Sequence, residues 1–248
     1  MRSTRVNKLG SDLINRLGVI GDVHGEQWRL GRALEWLHGQ RVDAIVCTGD
    51  VADGRGSINE CCDLLSKAEV TTVAGNHDRW LLENRVRHLS DAHCAAELST
   101  ASREFLGGLA RQETLETTLG PLLLCHGVAD NDLAKVWPGT AQSDVRRNPQ
   151  LDRILQSSEY RLLINGHMHF RVLIDFNDLL LVNAGTLKGE RSGVCVIDFE
   201  GSAISAFEIG DEGVAKQVSG HALESGQRRV WRDTQEFDGS WTPVALYA

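Results

Sequence analysis

The first ninety residues alternate between short apolar runs and helical stripes. Leu17–Gly21 is a brief apolar run ending in glycine. After it, Trp28, Leu30, Ala33, Leu34 and Leu37 recur at the spacing of an amphipathic helix. Ala44–Thr48 predicts a second strand and Ile58–Lys67 a second helix. Val70–Ala74 predicts a third strand, followed by a helix from Asp78 to His88. Such alternation specifies βαβ units and a parallel or mixed sheet.

The pattern changes after residue 90. Ala92–Gly107 reads as helical, and Thr114–Leu119 as a strand closed by a Gly120-Pro121 turn. Leu122–Cys125 and Arg161–Asn165 are short buried strands, with a loop and a helix between them over Leu133–Gln156. Arg171–Phe176 and Leu179–Asn183 flank Asn177-Asp178, the signature of a hairpin. Gly193–Phe199 and Ala203–Ile209 flank Glu200-Gly201-Ser202, a second hairpin. Parallel units first and antiparallel hairpins second give an α/β (α+β) fold: a two-sheet β-sandwich flanked by helices, in one domain over residues 1–210. Residues 211–248 form a C-terminal extension whose Trp231, Phe237, Trp241 and Tyr247 are expected to pack on that domain.

With 248 residues the chain is long enough for one large core. Its 42% apolar and 24% charged residues are those of a folded soluble protein. No apolar run approaches the roughly 20 residues of a membrane span. The opening MRSTRVNKLGSDLINR is polar and lacks the apolar stretch of a secretory signal, so a cytoplasmic location is expected. A net charge of −8 offers no footprint for duplex nucleic acid. The six cysteines (47, 61, 62, 94, 125 and 195) show no CxxC spacing and read as reduced core thiols.

Candidate chemistry lies at the ends of the predicted strands. Five short blocks follow apolar runs: Gly21-Asp22-Val23-His24-Gly25, Gly49-Asp50, Gly75-Asn76-His77-Asp78, His126-Gly127 and Gly166-His167-Met168-His169. Ligands of open α/β sheets bind beyond the carboxyl ends of the strands, so five polar clusters can converge there. Asp, His and Asn without thiolate suit Mn, Fe or Zn. Asp22 and His24, two apart, can both turn toward one ion, and the two oxygens of Asp50 can bridge two. The seven ligands, with Asp50 shared, give four contacts to each of two ions. Two ions about 3.5–4 Å apart are a recurrent device for phosphoester cleavage. The glycines are expected to give the backbone the positive φ that such turns need.

The five blocks, in this order, resemble the calcineurin-like metallophosphoesterase superfamily, whose pattern is D-x-H, G-D, G-N-H-[DE], H and G-H-x-H. The resemblance spans residues 22–169. It implies a metal-bound hydroxide attacking phosphorus, with Asp22, His24, Asp50 and His169 on one divalent ion and Asp50, Asn76, His126 and His167 on the other. By the same resemblance Asn76 and His77 meet the phosphate, and His77 protonates the leaving oxygen. Asp53 matches an aspartate that orients this histidine in the Ser/Thr phosphatase branch. That branch has Arg directly after it, whereas Gly54 intervenes here before Arg55. His169 and Asp78 also depart from that branch, and His169 is typical of the phosphodiesterase type. Asn183-Ala184-Gly185-Thr186 resembles the family's Asn-Pro-Gly-Ser turn. Residues 92–119 would be the cap that shapes specificity.

Several residues keep two readings. Asp78 is an N-cap or a motif acid, Asp53 a turn residue or the orienting group, and Arg55 a solvated arginine or a phosphate clamp. Trp137 packs or stacks on a substrate base. His38, His88, His93 and His221 lack ligand spacing and read as surface or packing residues. The expected substrate is a phosphoester, with nucleotides included and duplex nucleic acid excluded. The alternatives are a Ser/Thr-type phosphoprotein phosphatase and a non-catalytic metal-binding scaffold. Oligomeric state is not encoded in any motif.

Overall fold

A computed structural model describes residues 13–210 and 215–247. The N-terminal polar segment up to residue 12 and the expected boundary at 211 lie outside the described residues. In chain order the elements are β1 (Arg16–Ile20), α1 (Gln27–Gly39), β2 (Ala44–Cys47), α2 (Ile58–Lys67), β3 (Thr71–Thr72) and α3 (Asn76–Leu82). Next come α4 (Thr100–Gly108), β4 (Gln112–Thr117), β5 (Gly120–Cys125), α5 (Pro149–Ser157) and β6 (Leu162–Asn165). The chain continues through β7 (Arg171–Phe176), β8 (Leu180–Ala184), β9 (Gly193–Asp198) and β10 (Ala203–Ile209), then β11 (Ala215–Ala222), β12 (Val230–Trp231) and β13 (Val244–Ala245).

Two sheets result. The first runs β11-β10-β9-β1-β2-β3 and the second β12-β7-β8-β6-β5-β4, with β13 also on β7. The expected sandwich of two helix-flanked sheets is the observed architecture. In the first sheet β1, β2 and β3 are parallel, and in the second β5, β6 and β8 are parallel. Parallel strands put their carboxyl ends on one edge, and both sheets direct that edge toward the same pole. Backbone pairing of Asp22 with Thr186 joins the two edges.

Periodicity in the strands sorts three apolar layers. Leu17 and Val19 of β1 meet Leu122, Leu124, Ile164 and Val182 between the sheets. Ile20 and Cys47 face outward, under Leu30, Leu34 and Leu37 of α1 and Ile58, Cys61 and Leu65 of α2. On the far face of the second sheet, Leu163, Ile174 and Leu181 pack against Leu151 of α5, Trp137, Trp231, Phe237 and Trp241. The C-terminal residues therefore furnish core to one sheet through these aromatics and strands to both. Five cysteines are buried, Cys94 is exposed, and all six are free. No helix among the described residues is long and apolar enough to cross a membrane.

A buried guanidinium ties the sheets together. Arg171 of β7 is 1% exposed. It donates to the carbonyls of Phe207 (3.0 Å) and Val194 (3.5 Å) in the first sheet, and to that of Arg191 (3.2 Å).

Four elements differ from the pattern reading, the first being the β4–β5 hairpin: Gly120 and Pro121, read as its turn, open β5, and the reversal falls at Thr118-Leu119. Trp28, placed by spacing on the apolar stripe of α1, is 79% exposed. The buried stripe is Leu30, Ala33, Leu34 and Leu37, and Trp28 lies two positions ahead of it, about 200° around the helix. The third helix covers Asn76–Leu82, where Asp78–His88 was expected. Asn84 and Val86 take φ of 53° and break the helical path. The single helix expected over 92–107 is a short 3₁₀ turn at Ala95–Glu97 and then α4. Ser99 interrupts it by accepting a bond from the Ser102 N–H at 3.0 Å as the N-cap of α4.

Trp231 is 1% exposed and meets Phe237 edge-on at 5.0 Å between ring centroids. Trp231→Ala is expected to lower stability by about 3–5 kcal/mol, the usual range for emptying a large aromatic site. A urea unfolding curve with a correspondingly lower midpoint is the check.

Candidate metal centre

All seven residues read as ligands are brought together at the shared pole of the two sheets. Asp22 and His24 follow β1, Asp50 follows β2, and Asn76 opens α3 after β3. His126 follows β5, and His167 and His169 follow β6. Two groups of potential ligand atoms, Asp22/His24/His169 and Asp50/His126/His167, each lie within 4.8 Å of one another. Asp50 also groups with His24 and His77. Asp22, His24, Asp50, Asn76 and His126 are almost fully buried.

The carboxylates are fixed from behind. Asp22 Oδ1 accepts from Thr48 Oγ1 at 2.8 Å, and its Oδ2 accepts from the His167 N–H at 2.9 Å. Asp50 Oδ1 accepts from the His77 N–H at 2.8 Å. Asp50 Oδ2 faces His126 Nε2 at 3.2 Å and His24 Nε2 at 3.9 Å. Burial alone would raise the pKa of Asp50, but the His126 charge and hydrogen bond, then that of His24, hold it well below the usual carboxylate range.

The imidazoles are oriented by backbone carbonyls. His24 Nδ1 lies 3.1 Å from Ala52 O and 3.0 Å from Asp53 O, and His126 Nδ1 lies 2.8 Å from Thr48 O. Nδ1 is thereby the donor in each ring, and Nε2 is turned into the cluster, the usual second-layer arrangement of a metal-binding histidine. His126 Nε2 lies 3.1 Å from Asn76 Oδ1. His24 Nε2 lies 3.0 Å from His169 Nε2, and His169 Nε2 lies 3.2 Å from Asp22 Oδ2. His167 Nε2 is buried and has no hydrogen-bond partner. An unsatisfied buried nitrogen costs about 1–3 kcal/mol. A cation that draws a lone pair from each nitrogen answers both the orphan on His167 and the facing nitrogens of His24 and His169. The donor set fits divalent ions on these grounds.

Charges sort the rings. Burial works against protonation of His126, but the charges of Asp50 and Asp22 raise its pKa to about 10. Burial and then the neighbouring His126 charge push His167 down to about 4. Burial also lowers His24.

Five of the residues concerned, His24 (48°), Asp50 (45°), Asp53 (67°), His167 (63°) and His169 (57°), take positive φ without being glycine. Strain of this kind gathers at functional sites. Of the glycines beside them, Gly25 (68°) and Gly49 (89°) take the expected positive φ, and two others serve differently. Gly75 and Gly166 do not adopt positive φ. A Cβ at Gly75 would lie 2.1 Å from Asp50 Oδ1, and one at Gly166 would lie 2.0 Å from Asp22 Oδ1. They are small because a carboxylate passes over them.

Asp78 is not the N-cap of α3; Gly75 holds that position, and Asp78 reaches back from the first turn. Its oxygens accept from the Gly75 N–H and the Ala52 N–H, both at 2.9 Å, so it braces the second block against the third. Burial, then the Asp50 charge, pushes its pKa up to about 7. Asp53 Oδ2 lies 2.7 Å from His77 Nδ1. Burial opposes, but the bonds from His77 and Arg87 hold Asp53 down at about 2. Burial likewise works against a charged His77, and the bond to Asp53 outweighs it and raises that ring.

Arg55 is exposed, and no hydrogen bond or ion pair ties it to the cluster among the described residues. Arg87 stands on Asp53 instead, with NH1 and NH2 each 2.8 Å from a carboxylate oxygen. His93, read from spacing as a packing residue, is buried and accepts the Asp53 N–H on Nδ1 at 2.9 Å. Neither residue carries a motif. The one signal for them is that a buried Asp53 needs a cation. Thr48 was more accessible, since it directly precedes Gly49-Asp50.

A family model described as the calcineurin-like phosphoesterase superfamily domain matches residues 16–201. Over 84 residues the chain is 32% identical to serine/threonine-protein phosphatase 2 of Escherichia coli K12, which is 34% of this chain and 38% of that one. The match thus spans well under half of that relative. Among solved structures, Yfce, a phosphoesterase from E. coli, aligns with a TM-score of 0.53 at 16% identity, over 84% of this chain and 100% of that one. A metallophosphoesterase from Sphaerobacter thermophilus aligns with a TM-score of 0.56 at 19% identity, over 75% and 84%. At these identities the likeness is one of fold. The family model covers well over half of the sequence and contains every cluster residue, and the chain belongs to the calcineurin-like phosphoesterase superfamily.

Proposed function

We propose that the chain is a phosphoester hydrolase working with two divalent ions of the Mn, Fe or Zn type. Asp22, His24, Asp50 and His169 would hold one, and Asp50, Asn76, His126 and His167 the other. The observation that carries this reading is the pair of ligand groups side by side, with Asp50 at their junction and the buried His167 Nε2 unsatisfied. When bound, two such ions supply Lewis acidity, an acidified water and, against two carboxylates, a surplus of positive charge for a phosphate.

The chain's own groups do the rest. Asn76 and His77 sit at the start of α3, where the side chains of the third block meet an incoming phosphate. His77 Nδ1 is committed to Asp53. Its Nε2 is therefore the atom that gives a proton to the leaving oxygen as the P–O bond breaks. A positioned acid of this type contributes typically 10²–10⁴-fold. His77 packs its ring on Trp80 at 4.8 Å and edge-on to His24 at 5.0 Å, which limits its rotation. The substrate is a phosphoester, with nucleotides among the candidates. The identity to serine/threonine-protein phosphatase 2 supports a second reading, a phosphoprotein substrate.

Metal-stripped protein is expected to be inactive on p-nitrophenyl phosphate and bis-p-nitrophenyl phosphate and to regain hydrolysis with Mn²⁺. His77→Ala and Asp50→Asn should each remove at least about 100-fold of that activity. The ratio between the two esters separates monoesterase from diesterase. A wild type that binds Mn²⁺ in calorimetry and hydrolyses neither ester, nor any phosphopeptide or nucleotide tried, would turn the reading toward a scaffold.

Gly166→Ala is expected to displace the Asp22 carboxylate and weaken Mn²⁺ binding about 10–100-fold, as loss of ligand support commonly does. Gly107→Ala, whose added Cβ meets nothing within 4 Å, is the control. Equal affinities for the two variants by calorimetry would show that the Asp22 position does not matter to the ion.

A further inference from the structure

The Asp53 carboxylate is 1% exposed and saturated with donors. Oδ2 receives His77 Nδ1 at 2.7 Å and Arg87 NH2 at 2.8 Å. Oδ1 receives Arg87 NH1 at 2.8 Å and the His93 N–H at 3.0 Å. The Asp53 N–H donates to His93 Nδ1 at 2.9 Å, and the other ring nitrogen of His93 lies 3.0 Å from Gly56 O. Arg87 is itself held, with Nε 2.6 Å from Arg85 O and NH1 2.9 Å from His93 O.

A carboxylate bonded by one imidazole alone can turn about its Cβ–Cγ bond and offer either oxygen. Two parallel N–H···O bonds from a planar guanidinium fix the carboxylate plane, a restraint that lysine cannot supply. Here they leave the remaining lone pair of Oδ2 for His77 Nδ1. The break in the helical path at Asn84 and Val86, where a continuous helix was expected, is what allows Arg87 to return to Asp53. The guanidinium and the backbone N–H that fix Asp53 both come from residues 87–93, a stretch outside every ligand block.

We infer that Arg87, supported by the His93 backbone, is a positioning residue for proton donation: it locks the Asp53 carboxylate so that His77 presents Nε2 to the leaving oxygen. The inference rests on the hydrolase reading above. In the step concerned, the oxygen of water bonds to phosphorus and the bond from phosphorus to the leaving oxygen breaks. The leaving oxygen takes the proton of His77 Nε2, and the proton shed by the water returns to His77 through solvent. Arg87 exchanges no atom. Its loss therefore acts only where protonation of the leaving group matters.

The test compares esters of p-nitrophenol, a good leaving group, with esters of phenol, a poor one, on the Mn²⁺-loaded full chain. Arg87→Ala is expected to lose about 30–100-fold on the phenyl ester and several times less on the p-nitrophenyl ester, the same skew as His77→Ala. Added to His77→Ala, it should cost no more than about twofold further on either ester, because groups acting as one unit are not additive. Equal losses on the two esters, or a full further loss in the double variant, would overturn the inference and make Arg87 a structural or phosphate-binding residue. Should Arg87→Ala fail to fold, Arg87→Lys carries the same comparison with the charge kept and the paired bonds lost. A readout independent of turnover is the proton NMR signal of His77 Nδ1–H in ¹⁵N-labelled protein loaded with diamagnetic Zn²⁺ in place of Mn²⁺. It should be sharp and far downfield in the wild type and displaced in either Arg87 variant. An unmoved signal rejects the clamp. A wild type inert on every ester with the signal displaced as expected rejects the hydrolase reading alone.

Discussion

Two buried carboxylates, Asp22 and Asp50, standing where the carboxyl ends of two sheets meet, are the constraint to which the rest of this molecule answers. A buried anion is costly unless paired and hydrogen-bonded. Thr48 and the backbone of His167 hold one of them, and the backbone of His77 and the ring of His126 hold the other. Glycine stands where a carboxylate must pass close to the chain, at Gly75 and Gly166. The left-handed turns at His24, Asp50, His167 and His169 bring ligand atoms onto the same point from three different loops. These local costs are sustained by three apolar layers that leave the strands no other packing.

Much of this organisation is legible in residue order. Short apolar runs closed by Gly-Asp or Gly-His place the ligands at strand ends, and hairpin signals at Asn177-Asp178 and Glu200-Gly201-Ser202 separate the antiparallel half. What periodicity misses has specific causes. Trp28 falls near a helical stripe in number and opposite it in angle. The third helix stops at Leu82, and the left-handed turns at Asn84 and Val86 let Arg87 reach Asp53, a partner 34 residues away in sequence. Positive φ was assigned to the glycines from their ordinary preference, whereas the ligands themselves carry much of it. His93 lacks ligand spacing because it touches a motif residue and no ligand atom of the cluster. Pattern reading thus recovers the groups facing inward and loses those behind them, since support can come from any part of the chain.

The proposed centre and its proposed acid, His77, also have separate foundations. The ligands hang on strand ends whose geometry the sheets determine. Asp53 is held by a loop that belongs to neither sheet, between α3 and the 3₁₀ turn at Ala95–Glu97. On the proposed reading, changes in that loop alter how a leaving group is handled while the ligand positions stay as the sheets set them.

The buried guanidinium of Arg171 has a mechanical meaning. The proposed centre takes Asp22, His24 and Asp50 from one sheet and His126, His167 and His169 from the other, so shear between the sheets is the deformation to which it is most exposed. A slip of about 1 Å at a reacting centre is worth on the order of a hundredfold in rate. Apolar surfaces oppose separation well and sliding poorly, because a side chain that slides off one apolar neighbour meets the next. Arg171 begins two residues after His169 and crosses to the carbonyls of Val194 and Phe207, directional bonds that do not survive sliding. It acts as a dowel between two plates, set close to the point where their alignment matters most.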